Sequence, residues 1–536
     1  MKHLGELDMK KLTAFLLIIM SLMTGCSAGQ KASKKAPLKG AVEIILDDEG
    51  IMVDGKQATK DTAQAVYIEN DIVYYAAGQD FTYGEGSEED AHEAAEANAH
   101  TVVHISKAGI YALSGKLSAG QIAVDLGDDA KNDPGAVVTL LLNGADISCT
   151  VAPAVIFYNV YECDTDEECS ETVDTSAAGA NVFIMDGTEN NISGSYVARI
   201  YDPKTIQVNK AGTEVKEAEK LHKYDGAFYS KRSMNIDGND GILNIFAENE
   251  GLDSEMHLTI NGGDIRINSG NDGINTNEDE VSVTTINDGK LSINVLGTTG
   301  EGDGIDSNGW LVINGGTVIS SACATSGDAG IDSEMGIYIN GGTVIAGGNM
   351  LDRIAGGDQT YVVLQFAESQ KGGRKYVLKN DNKEVLTASL TNDFSQLVLA
   401  GDVLEAGDYT FWCNEMQLAA SVGQDFGGRG DAKMPEDMEL PDRPKEHEVM
   451  TPPDDAKDMN RHEKLTGELP QGVIPPDGNT PPDGAADIAL PEMPNGEMPK
   501  SGPGGNRGQM TADTELSEVF PIAEGENYFS FVSAMK

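Results

Sequence analysis

The chain has 536 residues, with 38 Lys and Arg against 87 Asp and Glu, a net charge of -49. That balance excludes nucleic acid as a partner, because phosphate binding requires clustered cations. With 62 glycines and only 6% aromatics, the composition disfavours a helical bundle and favours a fold with many tight turns.

Lys10 and Lys11 precede an apolar run from Leu12 to Met23. It is too short to span a bilayer and suits the core of a signal peptide. The run closes on Met23-Thr24-Gly25-Cys26, which resembles the lipobox of bacterial lipoproteins. The resemblance implies cleavage before Cys26 and lipidation of its thiol, which would anchor the chain on the extracellular face of the cell membrane. Residues 1–25 are then a signal peptide, and 26–40, with Lys31, Lys34 and Lys35, a flexible tether. The other cysteines are 149, 163, 169, 323 and 413, an odd number that cannot all pair internally. Cys163 and Cys169 bracket an acidic loop and form the one candidate bridge. No CxxC occurs, which argues against zinc.

Residues 41–100 are expected to supply N-terminal strands and a capping segment. Within them Glu88–Ala99, rich in Ala and Glu, is expected to form a short helix over an open sheet end. Val102–Leu126, Val138–Ile147 and Val182–Ser193 alternate irregularly between apolar and polar residues. A phased repeat follows. Ile236-Asp237-Gly238 recurs as Ile260-Asn261-Gly262-Gly263, Ile286-Asn287-Asp288-Gly289, Ile313-Asn314-Gly315-Gly316 and Ile339-Asn340-Gly341-Gly342, at spacings of 24, 26, 27 and 26. A second signal keeps step with it: Asp225-Gly226, Glu250-Gly251-Leu252-Asp253-Ser254, Asp272-Gly273-Ile274-Asn275-Thr276, Asp303-Gly304-Ile305-Asp306-Ser307 and Asp328-Ala329-Gly330-Ile331-Asp332-Ser333.

Each repeat holds three short period-2 segments and none with the 3.6 period of a helix. Three strands and three turns per unit of about 25 residues predict an all-β solenoid, a parallel β-helix over 101–350. Alternation places Ile236, Ile260, Ile286, Ile313 and Ile339 in one inward ladder, and Ile265, Leu291, Val318 and Val344 in another. Trp310, Val312 and Tyr338 are expected to face outward. The turn column of Asp237, Asn261, Asn287, Asn314 and Asn340 reads as a structural ladder of side-chain hydrogen bonds.

Beyond the repeat, Tyr361–Phe366, Lys375–Leu378, Glu384–Leu390, Gln396–Leu399 and Asp408–Trp412 are spaced like antiparallel strands. They predict a small C-terminal β domain over 351–425. Residues 426–512 are rich in Pro, Gly, Met, Asp and Glu and are expected to be disordered. Residues 513–536, with Tyr528–Val532, are expected to return as a strand of the β domain.

The phased repeat, together with His104-Ile105-Ser106-Lys107-Ala108-Gly109-Ile110-Tyr111, resembles bacterial carbohydrate-binding domain-containing surface proteins over residues 40–425 and the final strand. The resemblance implies a right-handed parallel β-helix with bound calcium, similar in fold to pectate lyases. It also implies binding of plant cell-wall polysaccharide, both cellulose and acidic pectin. It carries nothing for residues 426–512.

The residues themselves point to a cation. With Leu252, Ile274, Ile305 and Ile331 inward, Asp253, Asn275, Asp306 and Asp332 point outward one above another. The preceding turns add Asp225, Glu250, Asp272, Asp303 and Asp328. Stacked like charges are destabilising, and calcium bridging neighbouring coils would resolve the conflict; the alternative is a solvated acidic face whose aspartates cap turn amides. Sugar stacking is assigned to Trp310 and Tyr338. Lyase chemistry would need a base beside the metal, and Arg266, Lys290, Lys231 and Arg232 all read as surface charges. The expectation is therefore a monomeric, non-catalytic polysaccharide binder, with a calcium-dependent pectate-type lyase or a structural adhesin as the alternatives.

Overall fold

Period-2 alternation becomes strand after strand in the structure, a computed structural model that describes residues 39–164, 170–421 and 516–532. The signal peptide, Cys26, nearly all of the tether and the 426–512 insertion lie outside the described residues. What is described is almost entirely β.

The strands fall into three parallel stacks. The first runs Thr101–Ile105, Gly120–Asp125, Val155–Asn159, Gly226–Ser230, Glu250–Ser254, Ile274–Thr276 and Ile305–Ser307, with Val66–Glu69 antiparallel on its edge. A second begins at Val42–Leu46, Gly109–Leu117, Val138–Ser148 and Ala180–Ile184. It continues through Met234–Gly238, Leu258–Ile260, Val283–Ile286, Trp310–Ile313 and Gly336–Ile339. The third links Glu189–Gly194, Ile242–Ala247, Asp264–Ser269, Lys290–Val295, Thr317–Ser321 and Thr343–Gly348. Between Gly226 and Ser321 each repeat sends one strand to each stack.

In-register stacking repeats the same residue at the same row. Ile236, Ile260, Ile286, Ile313 and Ile339 share one row, and each is at most 1% exposed. Ile265, Leu291, Val318 and Val344 share another and are buried too. Each such aliphatic contributes roughly 1.5–3 kcal/mol by burial. The turns are held by a second ladder. Asn287, Asn314 and Asn340 donate Nδ2 to Oδ1 of Asn261, Asn287 and Asn314, at 2.9, 2.9 and 2.8 Å. The glycine two residues after the asparagine takes a positive φ, +76° at Gly316 and +85° at Gly342. A Cβ on Gly316 would lie 2.7 Å from the Gly289 carbonyl oxygen.

Three departures from the sequence reading are local. The helix expected over Glu88–Ala99 is a single turn, Ala94–Ala97. Its first half is held as a loop, because Asp90 accepts from the Ser87 amide and hydroxyl and from Tyr196 Oη. Cys163 is an unbridged thiol, as are Cys149, Cys323 and Cys413; Cys169, its candidate partner, lies outside the described residues. An irregular excursion after Gly194 carries an antiparallel pair, Val197–Tyr201 with Lys220–Tyr224, for which the repeat gave no signal.

Tyr361–Gln370, Phe394–Ala400, Gly407–Cys413 and Met416–Ser421 build the C-terminal sheets. Phe394–Ala400 also pairs antiparallel with Thr343–Gly348, the last strand of the third stack. Glu526–Val532 returns between Tyr361–Gln370 and Met416–Ser421. Phe366, Phe394, Phe411, Phe520 and Phe531 fill a second core there. Among the described residues no helix is long and apolar enough to cross a membrane.

Candidate functional site

On the first stack, Tyr229, Asp253, Asn275 and Asp306 occupy one register row. The row leaves the core face, as alternation requires, but its upper half does not reach water. Asp253 is 0% exposed, Glu250 5% and Asn275 9%. This corrects the expectation of an outward, solvent-facing column. The cause is the Lys220–Tyr224 strand, which lies against this part of the stack. Lys223 Nζ lies 2.5 Å from Asp225 Oδ2, and Lys220 Nζ lies 3.1 Å from Glu255 Oε1.

The structure divides the acidic residues into two groups. Carboxylate oxygens of Asp225, Glu250 and Asp253 lie within 4.8 Å of one another. Asn275 Nδ2 donates to Glu250 Oε1 at 3.2 Å and Asn277 Nδ2 to Asp253 Oδ1 at 2.6 Å. Glu250 Oε2 and Asn275 Oδ1 are buried without a hydrogen-bond partner. Burial, reinforced by the neighbouring carboxylates, pushes Glu250 and Asp253 well above the usual carboxyl range, and burial raises Asp225 despite Lys223. Lys223 itself is raised: burial opposes its charge, and Asp225, Glu250 and Asp253 more than compensate.

The second group caps backbone. Asp272 Oδ1 accepts from the Asp303 amide at 2.6 Å, Asp303 Oδ1 from the Ala329 amide at 2.5 Å, and Asp328 Oδ2 from the Gly302 amide at 2.7 Å. Each aspartate thereby ties one coil to its neighbour. Burial still raises carboxyls here: Asp272 well above its ordinary value, Asp303 to about 9 and Asp306 to about 6. Asp306 and Asp332 are half-buried.

Three buried carboxylates and an amide, with one unpaired oxygen on Glu250 and one on Asn275, suit a hard divalent cation, which binds carboxylate and amide oxygens together. Glu250 and Asn275 fit such an ion on that ground, with Asp225 and Asp253 beside them, although Asp253 Oδ2 already accepts from the Asp225 amide at 3.3 Å and Asp225 Oδ2 is paired with Lys223; Asp272, Asp303 and Asp328 each have one oxygen committed to an amide of a neighbouring repeat. A second cluster, Glu69, Asp71 and His104, lies at the edge strand, with His104 Nε2 2.8 Å from Asp71 Oδ1 and its ring stacked on Tyr67.

Trp310 and Tyr338 are half-buried and meet, but not as a flat shelf. Their ring centroids are 5.9 Å apart and the planes are inclined by 55°. Tyr338 is in register with Val312, and Trp310 with Gly336, beside which the indole lies. Val312 faces outward in the same register row as Tyr338, as alternation requires, but is only 5% exposed. Of the basic residues considered, Arg266 pairs with Asp264 at 2.7 Å and Lys290 with the same carboxylate at 3.6 Å. Lys231 is exposed and Arg232 half-buried. The cation beside the carboxylates is Lys223, which the sequence reading overlooked. Its only signal was its position two residues before Asp225.

Parallel strands stacked in register, with an acidic row along one stack, define an almost all-β protein with large sheets. The chain belongs to the family of carbohydrate-binding domain-containing proteins, whose model matches residues 99–372. No curated protein matches the chain. Among solved structures it is similar to the polysaccharide lyase-like protein from C. thermocellum, in a gadolinium derivative. That likeness covers 57% of this chain and 93% of the other at 19% identity, with a TM-score of 0.31.

Proposed function

We propose that this chain is a cell-surface lipoprotein that binds polysaccharide of plant cell-wall type, such as cellulose or pectin, without catalysis. Its body is a right-handed parallel β-helix, a reading supported by the three in-register parallel stacks. Cys26 carries the lipid anchor to the extracellular face of the membrane, and the protein acts as a monomer. Membership of a carbohydrate-binding family supports the ligand class.

The observation that carries the metal reading is the pair of unpaired buried oxygens, Glu250 Oε2 and Asn275 Oδ1, beside Asp225 and Asp253. Calcium is held by these residues; when bound it supplies the positive charge that lets all three carboxylates ionise in a buried place. Asp306 extends the row, Asp272, Asp303 and Asp328 tie neighbouring coils, and Asp332 adds a further carboxylate in the next repeat. Trp310 and Tyr338 provide ring contacts to sugar.

A calcium-dependent pectate-type lyase is the second reading, favoured by one feature, the amine of Lys223 beside the carboxylates. A single assay separates the two. The mature protein is incubated with polygalacturonate and calcium at alkaline pH, and ultraviolet absorbance of unsaturated uronide is followed alongside a pull-down. Retention of the polysaccharide with flat absorbance supports the binder. Rising absorbance that Lys223→Ala abolishes establishes the lyase, and neither result leaves a structural adhesin.

A further inference from the structure

A groove of about 770 Å³ runs along the outer face of the second stack, away from the acidic row. Its floor is a single register row: Asn181, Asn235, Thr259, Thr285, Val312 and Tyr338. The turn asparagines Asn261, Asn287, Asn314 and Asn340 form one wall. Amides and hydroxyls thus recur on successive coils, spaced at ~4.8 Å. Such groups both donate and accept hydrogen bonds, which is what a chain of sugar hydroxyls requires. The coil spacing is also close to the advance of one hexose in an extended β-linked chain.

Charge selects among glycans. Among the described residues, those lining the groove include Glu171, Asp174 and Asp237 and no lysine, arginine or histidine. A polyuronate would meet like charge with nothing to neutralise it, whereas a neutral glycan would not.

The protein already places a hydroxyl there. The segment around Thr175 lies over the groove, and the Thr175 hydroxyl sits 2.8 Å from Asn235 Oδ1 and 2.7 Å from Thr259 Oγ1. Its carbonyl accepts from Asn235 Nδ2 at 2.7 Å. An alcohol bridging an amide and a hydroxyl is the contact a sugar would make. This strap fills the groove at Asn235 and Thr259 and leaves the rows of Thr285, Val312 and Tyr338 beyond it.

We propose that this groove is a glycan site separate from the carboxylate cluster, independent of calcium, for a neutral, linear, β-linked hexose chain. It rests on the proposed function in that the ligand is a polysaccharide and in the ring contact of Tyr338, and goes beyond it in placing Thr285 and Val312 under a neutral chain bound without calcium. The ligand lies on Thr285 and Val312 with Tyr338 against its C–H face, and the Thr175 segment limits its length.

The test titrates the full chain in excess chelator with cello-oligosaccharides and with oligogalacturonates, by calorimetry. The neutral oligosaccharides are expected to bind and the acidic ones not. Thr285→Arg and, separately, Tyr338→Ala should each weaken binding about tenfold, while any calcium-induced rise in melting temperature is unchanged. Thr175→Gly should favour longer oligosaccharides. Should Thr285→Arg fail to fold, Tyr338→Ala alone decides. The proposal is overturned if neutral oligosaccharides do not bind in chelator, if Tyr338→Ala leaves binding intact, or if oligogalacturonates compete. Loss of the calcium effect with groove binding retained would instead remove the metal reading and leave this one standing.

Discussion

Asn275 reaches from one coil to the next and donates its Nδ2 to Glu250 Oε1 at 3.2 Å, while its own Oδ1 and Glu250 Oε2 are buried with no hydrogen-bond partner. A buried polar atom without a partner costs roughly 1–3 kcal/mol, more when it belongs to a charge. Two such atoms, side by side in a nest of carboxylates, are a cost that a bound cation would relieve.

Calcium should therefore raise the melting temperature. An ion that binds only the folded state stabilises it by about 2.7 kcal/mol at 100 times its dissociation constant. Glu250→Gln and Asp253→Asn should each remove most of the gain, and Asp328→Asn, whose carboxylate already holds the Gly302 amide, much less. Melting curves with millimolar calcium and with chelator check this. Equal shifts in all three variants would place the ion elsewhere.

The pH dependence follows from the raised carboxyls. Asp303 is raised from 3.8 to about 9 and Asp306 to about 6. Between about pH 4 and those values the folded chain keeps protons that the unfolded chain has released, so stability falls as pH rises. Metal-free protein should melt at a higher temperature near pH 5 than near pH 8, and Asp303→Asn should flatten the slope. Thermal scans in chelator across that range give the answer. A melting temperature that climbs with pH would contradict the sign.

Ile313 sits in the middle of the buried isoleucine row. Ile313→Asp should prevent folding or cost at least ~3 kcal/mol, because the charge has no partner there. Ile313→Val should cost only about 1 kcal/mol. Chemical denaturation of the two variants measures both.

Gly316→Ala tests the turn. The position has φ +76°, and the added carbon would crowd the Gly289 carbonyl at 2.7 Å. The cost should be about 2 kcal/mol, combining the left-handed backbone with the clash. A loss below ~0.5 kcal/mol in denaturant titration would mean that the turn relaxes freely.

What the sequence determined by itself is whatever repeats. Ile236, Ile260, Ile286, Ile313 and Ile339 were legible as one row because parallel strands in register place equal positions of successive repeats side by side. The asparagine ladder was legible for the same reason, since each Asn faces its own equivalent one coil away. The acidic residues of the candidate site were visible as a column, but their chemistry was not. Asp272 and Asp303 look like Glu250 in the repeat, yet the first two meet a backbone amide and Glu250 Oε2 meets none. Only the tertiary structure decides this, because it depends on where each neighbouring turn bends. Burial of Asp253 depends likewise on the Lys220–Tyr224 strand, part of an excursion with no period. Contacts made by non-repeating segments leave no pattern in the chain that a period can reveal; they exist only once the coils have stacked.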